Sequence, residues 1–150
     1  MLLLLFNIGK DRFGLEVNHI IEILPLVEFK IAPHTPEYVA GLFNYRGTIV
    51  PVIDLSMLIS GTPSRPLLST RIILVDYIRS DYNHHVLGLM AEYVTETIPC
   101  REEDFKPSTI VSKTAQYIGD IIIHEDEMIQ RIKIENILPK PVQELLFLHK

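Results

Sequence analysis

Short apolar runs broken by turn residues about every eight to twelve positions dominate the chain, a spacing that predicts strands rather than helices. "LLLLFNI" opens it, a turn falls around Gly9–Arg12, and "FGLEVNHIIEIL" follows as the returning half of a hairpin. "FKIAPHTPEY" reads as loop or sheet edge, because Pro33 and Pro36 cannot donate to a central ladder. "LFNY" and "TIVPVIDL" form a second pair about "RG", where Gly47 is free to take φ > 0. "SMLI" predicts one helical turn capped by Asp54 or Ser56. A Gly/Pro/Ser linker near 60–69 leads to "TRIILVDYI", the polar turn "RSDYNHH" and "VLGLMAEYVTETI". The charged loop "PCREEDFKPS" precedes "YIGDIIIH", the turn "EDE", "MIQRIKI" and a short C-terminal helix in "PVQELLFLHK".

The two halves echo each other. "FGLEVNHIIEIL" aligns with "LGLMAEYVTETI", placing Gly14 on Gly88, Leu15 on Leu89 and Glu22 on Glu96. "IVPVIDLSMLI" aligns with "MIQRIKIENIL" in its apolar positions. Two copies of one small β-module are the simplest explanation. Each is too small for a secure core of its own, so the modules are expected to pack together over residues 1–150 as a single domain and leave a groove between them.

Composition narrows the function classes. With 47% apolar residues the chain is in the globular range. A net charge of −5 without a basic run disfavours nucleic acid as a partner. Cys100, the single cysteine, excludes an intrachain disulfide and fits a reducing compartment. The leading "LLLL" lacks a basic flank and meets Lys10 too soon for a signal peptide, and no run approaches the ~20 apolar residues of a membrane span. A soluble cytoplasmic protein without direct membrane insertion is expected.

Candidate chemistry is sparse. His84 and His85 sit in a turn with no third ligand at metal spacing, so a solvated hairpin tip is favoured and no metal is expected. Cys100 neighbours Arg101 but has no paired histidine, which favours an ordinary semi-buried thiol. Asp54 invites comparison with aspartic proteases, yet Leu55 and Ser56 follow it where a small residue and glycine are needed, and Lys133 stands at the equivalent place in the second half. "REED" and "HEDE" read as solvated loop charge, and "GTPSRP" lacks the lysine and setting of a phosphate cradle, so no cofactor is expected.

The stretch Gly41, Asn44, Arg46, Gly47, Pro51, Val52, Asp54, Leu55 resembles the signature of the CheW-like family, the coupling proteins of bacterial chemotaxis arrays. "FGLEVNHIIEIL", "IAPHTPEYVAG" and "LGLMAEYVTETI" are similar to further family segments in the same order, so the resemblance covers residues ~5 to ~140. Phe43 and Tyr45 depart from the family's small aliphatic and leucine.

The resemblance implies a mainly β fold of two intertwined five-stranded SH3-like β-barrel subdomains with short helical turns. It implies a non-catalytic adaptor joining the regulatory domain of a CheA-type histidine kinase to the cytoplasmic tip of a methyl-accepting chemotaxis protein. Carried over by position, the receptor-binding groove falls on Leu4, Val17, Ile20 and Ile23, with Glu22 beside them. Asn44, Arg46, Gly47, Pro51 and Asp54 are expected as motif scaffold or groove rim, with Arg46 bonding several carbonyls or meeting a partner. Such a protein would be cytoplasmic and recruited to membrane-associated receptor arrays. Two alternatives stand beside this reading: an auxiliary coupling protein of a chemotaxis-like pathway with another output, such as surface sensing or second-messenger control, and a hydrolase using Asp54.

Overall fold

The structure, a computed structural model, describes residues 1–107 and 115–147. The first strand explains the unbroken run of leucines. In β1 (Leu2–Ile8), Leu3 and Leu5 point into one apolar cluster with Ile98, Phe105, Ile122 and Ile129, while Leu4, Phe6 and Ile8 point the opposite way into another. A strand buried on both faces has no polar alternation to show. The strand at the start of the second half, Arg71–Ile78, repeats this: Ile72 and Leu74 face one cluster, and Ile73, Val75 and Tyr77 the other.

The strands in chain order are β1, β2 (Asp11–Glu16), β3 (Ile20–Pro25), β4 (Val39–Tyr45), β5 (Thr48–Asp54), β6 (Arg71–Ile78), β7 (His84–Pro99), β8 (Ile118–His124) and β9 (Glu127–Ile132). Helix α1 (Leu55–Ser60) follows β5, and α2 (Lys140–Leu146) follows β9 after a short 3₁₀ turn. The predicted C-terminal helix is therefore present over Lys140–Leu146; residues 148–150 of the predicted segment and the last residue of the charged loop, at 108, lie outside the described part.

Strand pairing sorts the described residues into two five-stranded barrels. In one, the second half of β7 pairs with β1, β1 with β2, β2 with β9 in parallel, and β9 with β8. In the other, β3 pairs with β6, β6 with the first half of β7, β7 with β5 in parallel, and β5 with β4. A bridge from Lys106 to Ile121 closes the first barrel and one from Lys30 to Leu42 the second. Each barrel thus takes two strands from one half of the chain and three from the other. The mainly β, intertwined fold expected above is the one observed.

The registers follow the same pseudo-twofold. Gly14 lies opposite Arg131 and Gly88 opposite Val52, and these are the residues that the repeat alignment superposes. The Asp54 amide donates to the Tyr38 carbonyl at 2.7 Å, and that of Lys133 to the Tyr117 carbonyl at 2.7 Å. Closure of the second barrel needs a glycine. A Cβ on Gly41 would stand 2.6 Å from both the Lys30 carbonyl oxygen and the Phe29 Cβ, so any larger residue would push the bridging segment away.

Sequence reading joined "FGLEVNHIIEIL" into one strand. The structure breaks it at a 3₁₀ turn, Val17–His19, where the chain leaves the first barrel for the second. The apolar run is continuous because Val17 and Ile20 pack on the core between the barrels. The connection near 60–69 is held to the body of the fold through Ser64, Arg65 and Ser69, and Thr70 is buried.

Candidate functional site

β3 pairs with β6 in a register that sets Ile20 opposite Val75 and Ile23 opposite Ile73, both members of the interbarrel core. Ile23 lies opposite Ile73, a fully buried member of that core, yet remains 40% exposed because it stands at the edge. Val17 and Ile20 lean on the same core and are half-buried. Together they form an aliphatic rim, which Ile21, 48% exposed, extends. The sequence reading missed Ile21, although its place in the Ile20–Ile23 run was a signal. Leu4 is a correction. At 3% exposure it lies inside the interbarrel core, since β1 is covered on both faces, and it supports the rim from beneath.

Glu22 turns the other way, toward the β4–β5 hairpin. The Tyr45 hydroxyl donates to its carboxylate, and Arg46 Nη2 approaches the same oxygen at 3.3 Å while the guanidinium carbon lies 5.1 Å from the Tyr45 ring centre. The bond to Glu22 is the main cause that raises the Tyr45 phenol above its ordinary value. Tyr45, together with Arg46, ties the hairpin to β3. Arg46 and Gly47 make the two-residue turn, with φ of 50° and 90°, the positive pair that matches hairpin twist. The Asn44 side chain accepts from the Gly47 amide at 2.8 Å and fixes that turn. The expectation that Arg46 bonds several carbonyls is replaced: its side chain is 75% exposed and its partners are side chains, because a tip residue at positive φ projects away from the ladder.

Pro51 is buried opposite Leu42, one residue before the Val52–Asp54 segment joins β7, so its missing N–H costs no ladder bond to that strand. Asp54 caps α1. Its Oδ1 accepts from the amides of Ser56 and Met57 and from the Ser64 hydroxyl at 2.6 Å, and its Oδ2 from the Ser64 amide at 2.9 Å. At 5% exposure and with both oxygens engaged, it is a structural carboxylate. Asp54→Ala is expected to lower stability by about 3 kcal/mol, the loss of a cap plus charge-assisted bonds from Ser64. Chemical denaturation of the two proteins measures this directly.

A second polar centre escaped the sequence reading. Arg131 in β9 is buried, and its guanidinium meets Glu16 at 2.8 Å, Glu102 at 2.8 Å and Asp120 at 3.3 Å, with its carbon 3.9 Å from the Phe105 ring centre. The arginine holds the Glu102 carboxyl below its ordinary value. Beside it a cavity of about 230 Å³ is lined by Glu16, His19, Glu102, Arg131 and Lys133. A larger cleft of about 650 Å³ lies between the barrels, where the equivalent tyrosines Tyr38 and Tyr117 face it with Leu58, Ile137 and Leu138.

The remaining candidates are plain. Cys100 is buried, and burial pushes its thiol up, away from nucleophilic character. His84 opens β7 exposed, 3.0 Å from Asp76. Among the described residues no three His, Cys, Asp or Glu side chains stand close enough to hold a metal ion. No helix among them is long and apolar enough to cross a membrane.

The described residues thus give two barrels with exchanged strands, exposed aliphatic residues at their junction and polar groups engaged in structural bonds. Comparison with known proteins places this architecture. A family model described as "CheW-like domain" matches residues 2–142, and the chain belongs to that family. It is 26% identical to the chemotaxis protein CheW of Helicobacter pylori over 90% of this chain and 79% of that protein. It is 27% identical to a probable chemotaxis protein CheW of Rhizobium etli over 89% and 84%. The crystal structure of the scaffolding protein TtCheW from Thermoanaerobacter tengcongensis superposes with a TM-score of 0.81 at 28% identity, covering 92% of this chain and 87% of that one. The chain is a non-catalytic scaffold of chemotaxis signalling, and the hydrolase alternative falls.

Proposed function

We propose that this protein, acting as one domain over residues 1–150, couples the cytoplasmic tip of a methyl-accepting chemotaxis protein to the regulatory domain of a CheA-type histidine kinase. The observation that carries the receptor half is the rim of Val17, Ile20, Ile21 and Ile23 beside the interbarrel core. A helix laid along a groove is anchored by aliphatic side chains at its own repeat, and such a rim gives them an apolar wall. The tie of Glu22 to Tyr45 and Arg46 holds the β4–β5 hairpin against the strand that carries the rim, which is the role assigned to the Asn44–Asp54 motif. The kinase domain takes exposed barrel strands or loops away from the rim, where Ile123 and Met128 are exposed cross-strand neighbours on β8 and β9. The protein then resides in the cytoplasm and is drawn to membrane-associated arrays by its partners, whose multivalency strengthens weak contacts.

The test is co-sedimentation with purified components. Receptor tips displayed on vesicles should retain the kinase regulatory domain when this protein is present and not in its absence. Binding of either partner to the exclusion of the other would overturn the coupling role.

A further inference from the structure

β7 passes from one barrel to the other within a single strand, and the passage has an unusual geometry. Its ladder with β6 ends at Ala91, its ladder with β1 begins at Glu92, and Tyr93 between the barrels takes φ of 52°. A tyrosine gains nothing locally from the left-handed region, so its surroundings must hold it there. The equivalent crossing between β2 and β3 is made by the Val17–His19 turn, so the two crossings are built differently.

The surroundings are supplied by the 61–70 connection. The Glu92 carboxylate, nearly buried, accepts from the Arg65 amide at 2.7 Å and from Arg65 Nη2 at 2.8 Å. Ser64 is held by Asp54 at the start of α1, on one side of the crossing. The Ser69 carbonyl accepts from the Val94 amide at 3.0 Å, on the other. The Thr70 hydroxyl, donating to the Arg65 carbonyl at 2.6 Å, closes the connection on itself. Arg65 also lies 5.9 Å from the Tyr93 ring centre, so one side chain meets both the buried carboxylate and the strained residue.

We propose that the Ser64–Thr70 connection is a clasp, with Arg65 and Glu92 as its catch, that fixes the angle between the two barrels at the Tyr93 crossing. A linker between repeated modules is thereby a positioning device: both walls of the interbarrel groove move with that angle.

Its test is the distance between spin labels on the two barrels, at Thr48→Cys and Glu127→Cys, in full-length protein carrying Cys100→Ala. Both sites are exposed hairpin positions far from the clasp in sequence. Arg65→Ala, a change at a largely exposed side chain, should broaden the distance distribution and shift its mean while the protein stays folded. Tyr93→Gly, which frees the crossing backbone, should broaden it in the same way. Arg65→Lys, which keeps charge without the planar fork, should not restore the parent distribution. Distributions unchanged in Arg65→Ala and Tyr93→Gly, even with a lowered melting temperature, would overturn the clasp and leave Arg65 a merely stabilising residue.

Discussion

Replacing Arg131 with methionine should lower the melting temperature by about 10 °C or more, from a loss of about 3–5 kcal/mol. The size follows from what is left behind. Methionine preserves packing against Phe105, but Glu16, Glu102 and Asp120 would remain around a site with no cation. Three carboxylates so placed repel one another, and Glu16 and Asp120 are partly shielded from water. Arg131→Lys should fall between, since an ammonium keeps the charge but cannot span Glu16 and Glu102 together through Nη1 and Nη2. The sign with pH is fixed as well. Glu102 and Glu92 are both held below the ordinary glutamate value of 4.5 by their arginines. Their contribution is complete above that value and drains away as pH falls below it, through the lowered folded values. Arg131→Met should lose the part of this acid sensitivity that belongs to Glu102, which parallel melting curves from neutral to acid pH would reveal.

On the binding side the largest effect is expected from Ile23→Asp. A charge on an exposed member of the apolar rim should weaken receptor-tip binding by about thirtyfold or more, on the order of 2 kcal/mol. Because Ile23 stands at a sheet edge with much of its surface already in water, the same change should cost only about 1 kcal/mol of folding stability. Ile20 is a less clean probe, since it packs against the interbarrel core, where aspartate would undermine the fold as well. Isothermal titration with a receptor-tip fragment, paired with a melting curve, separates the two effects. Full binding by folded Ile23→Asp protein would remove the rim from the account.

How far these features could be read in advance depended on their sequence separation. Local signals carried well: the Gly47 turn, the Asp54 cap and the strand runs all arise from neighbours a few residues apart. The repeat was legible because equivalent residues face equivalent tasks, as Gly14 and Gly88 do. Leu4 came to the groove by position in the resembled family alone, and nothing local in its apolar run shows that β1 is covered on both faces and holds this side chain in the core. The break at Val17–His19 left no mark, since residues on both sides pack on one core. Arg131 left none either. Its partners Glu16 and Glu102 are 115 and 29 positions away, and alternation along β9 puts it on the face of Ile129, where an apolar residue would be the natural expectation.

The coupling role, in which one small protein holds a receptor and a kinase together, can be checked by capturing the tagged protein from its own cells and identifying what accompanies it by mass spectrometry. A chemoreceptor and a CheA-type kinase should be recovered together, and Ile23→Asp should lose the receptor while retaining the kinase. Folded, soluble protein that brings down neither partner would contradict it.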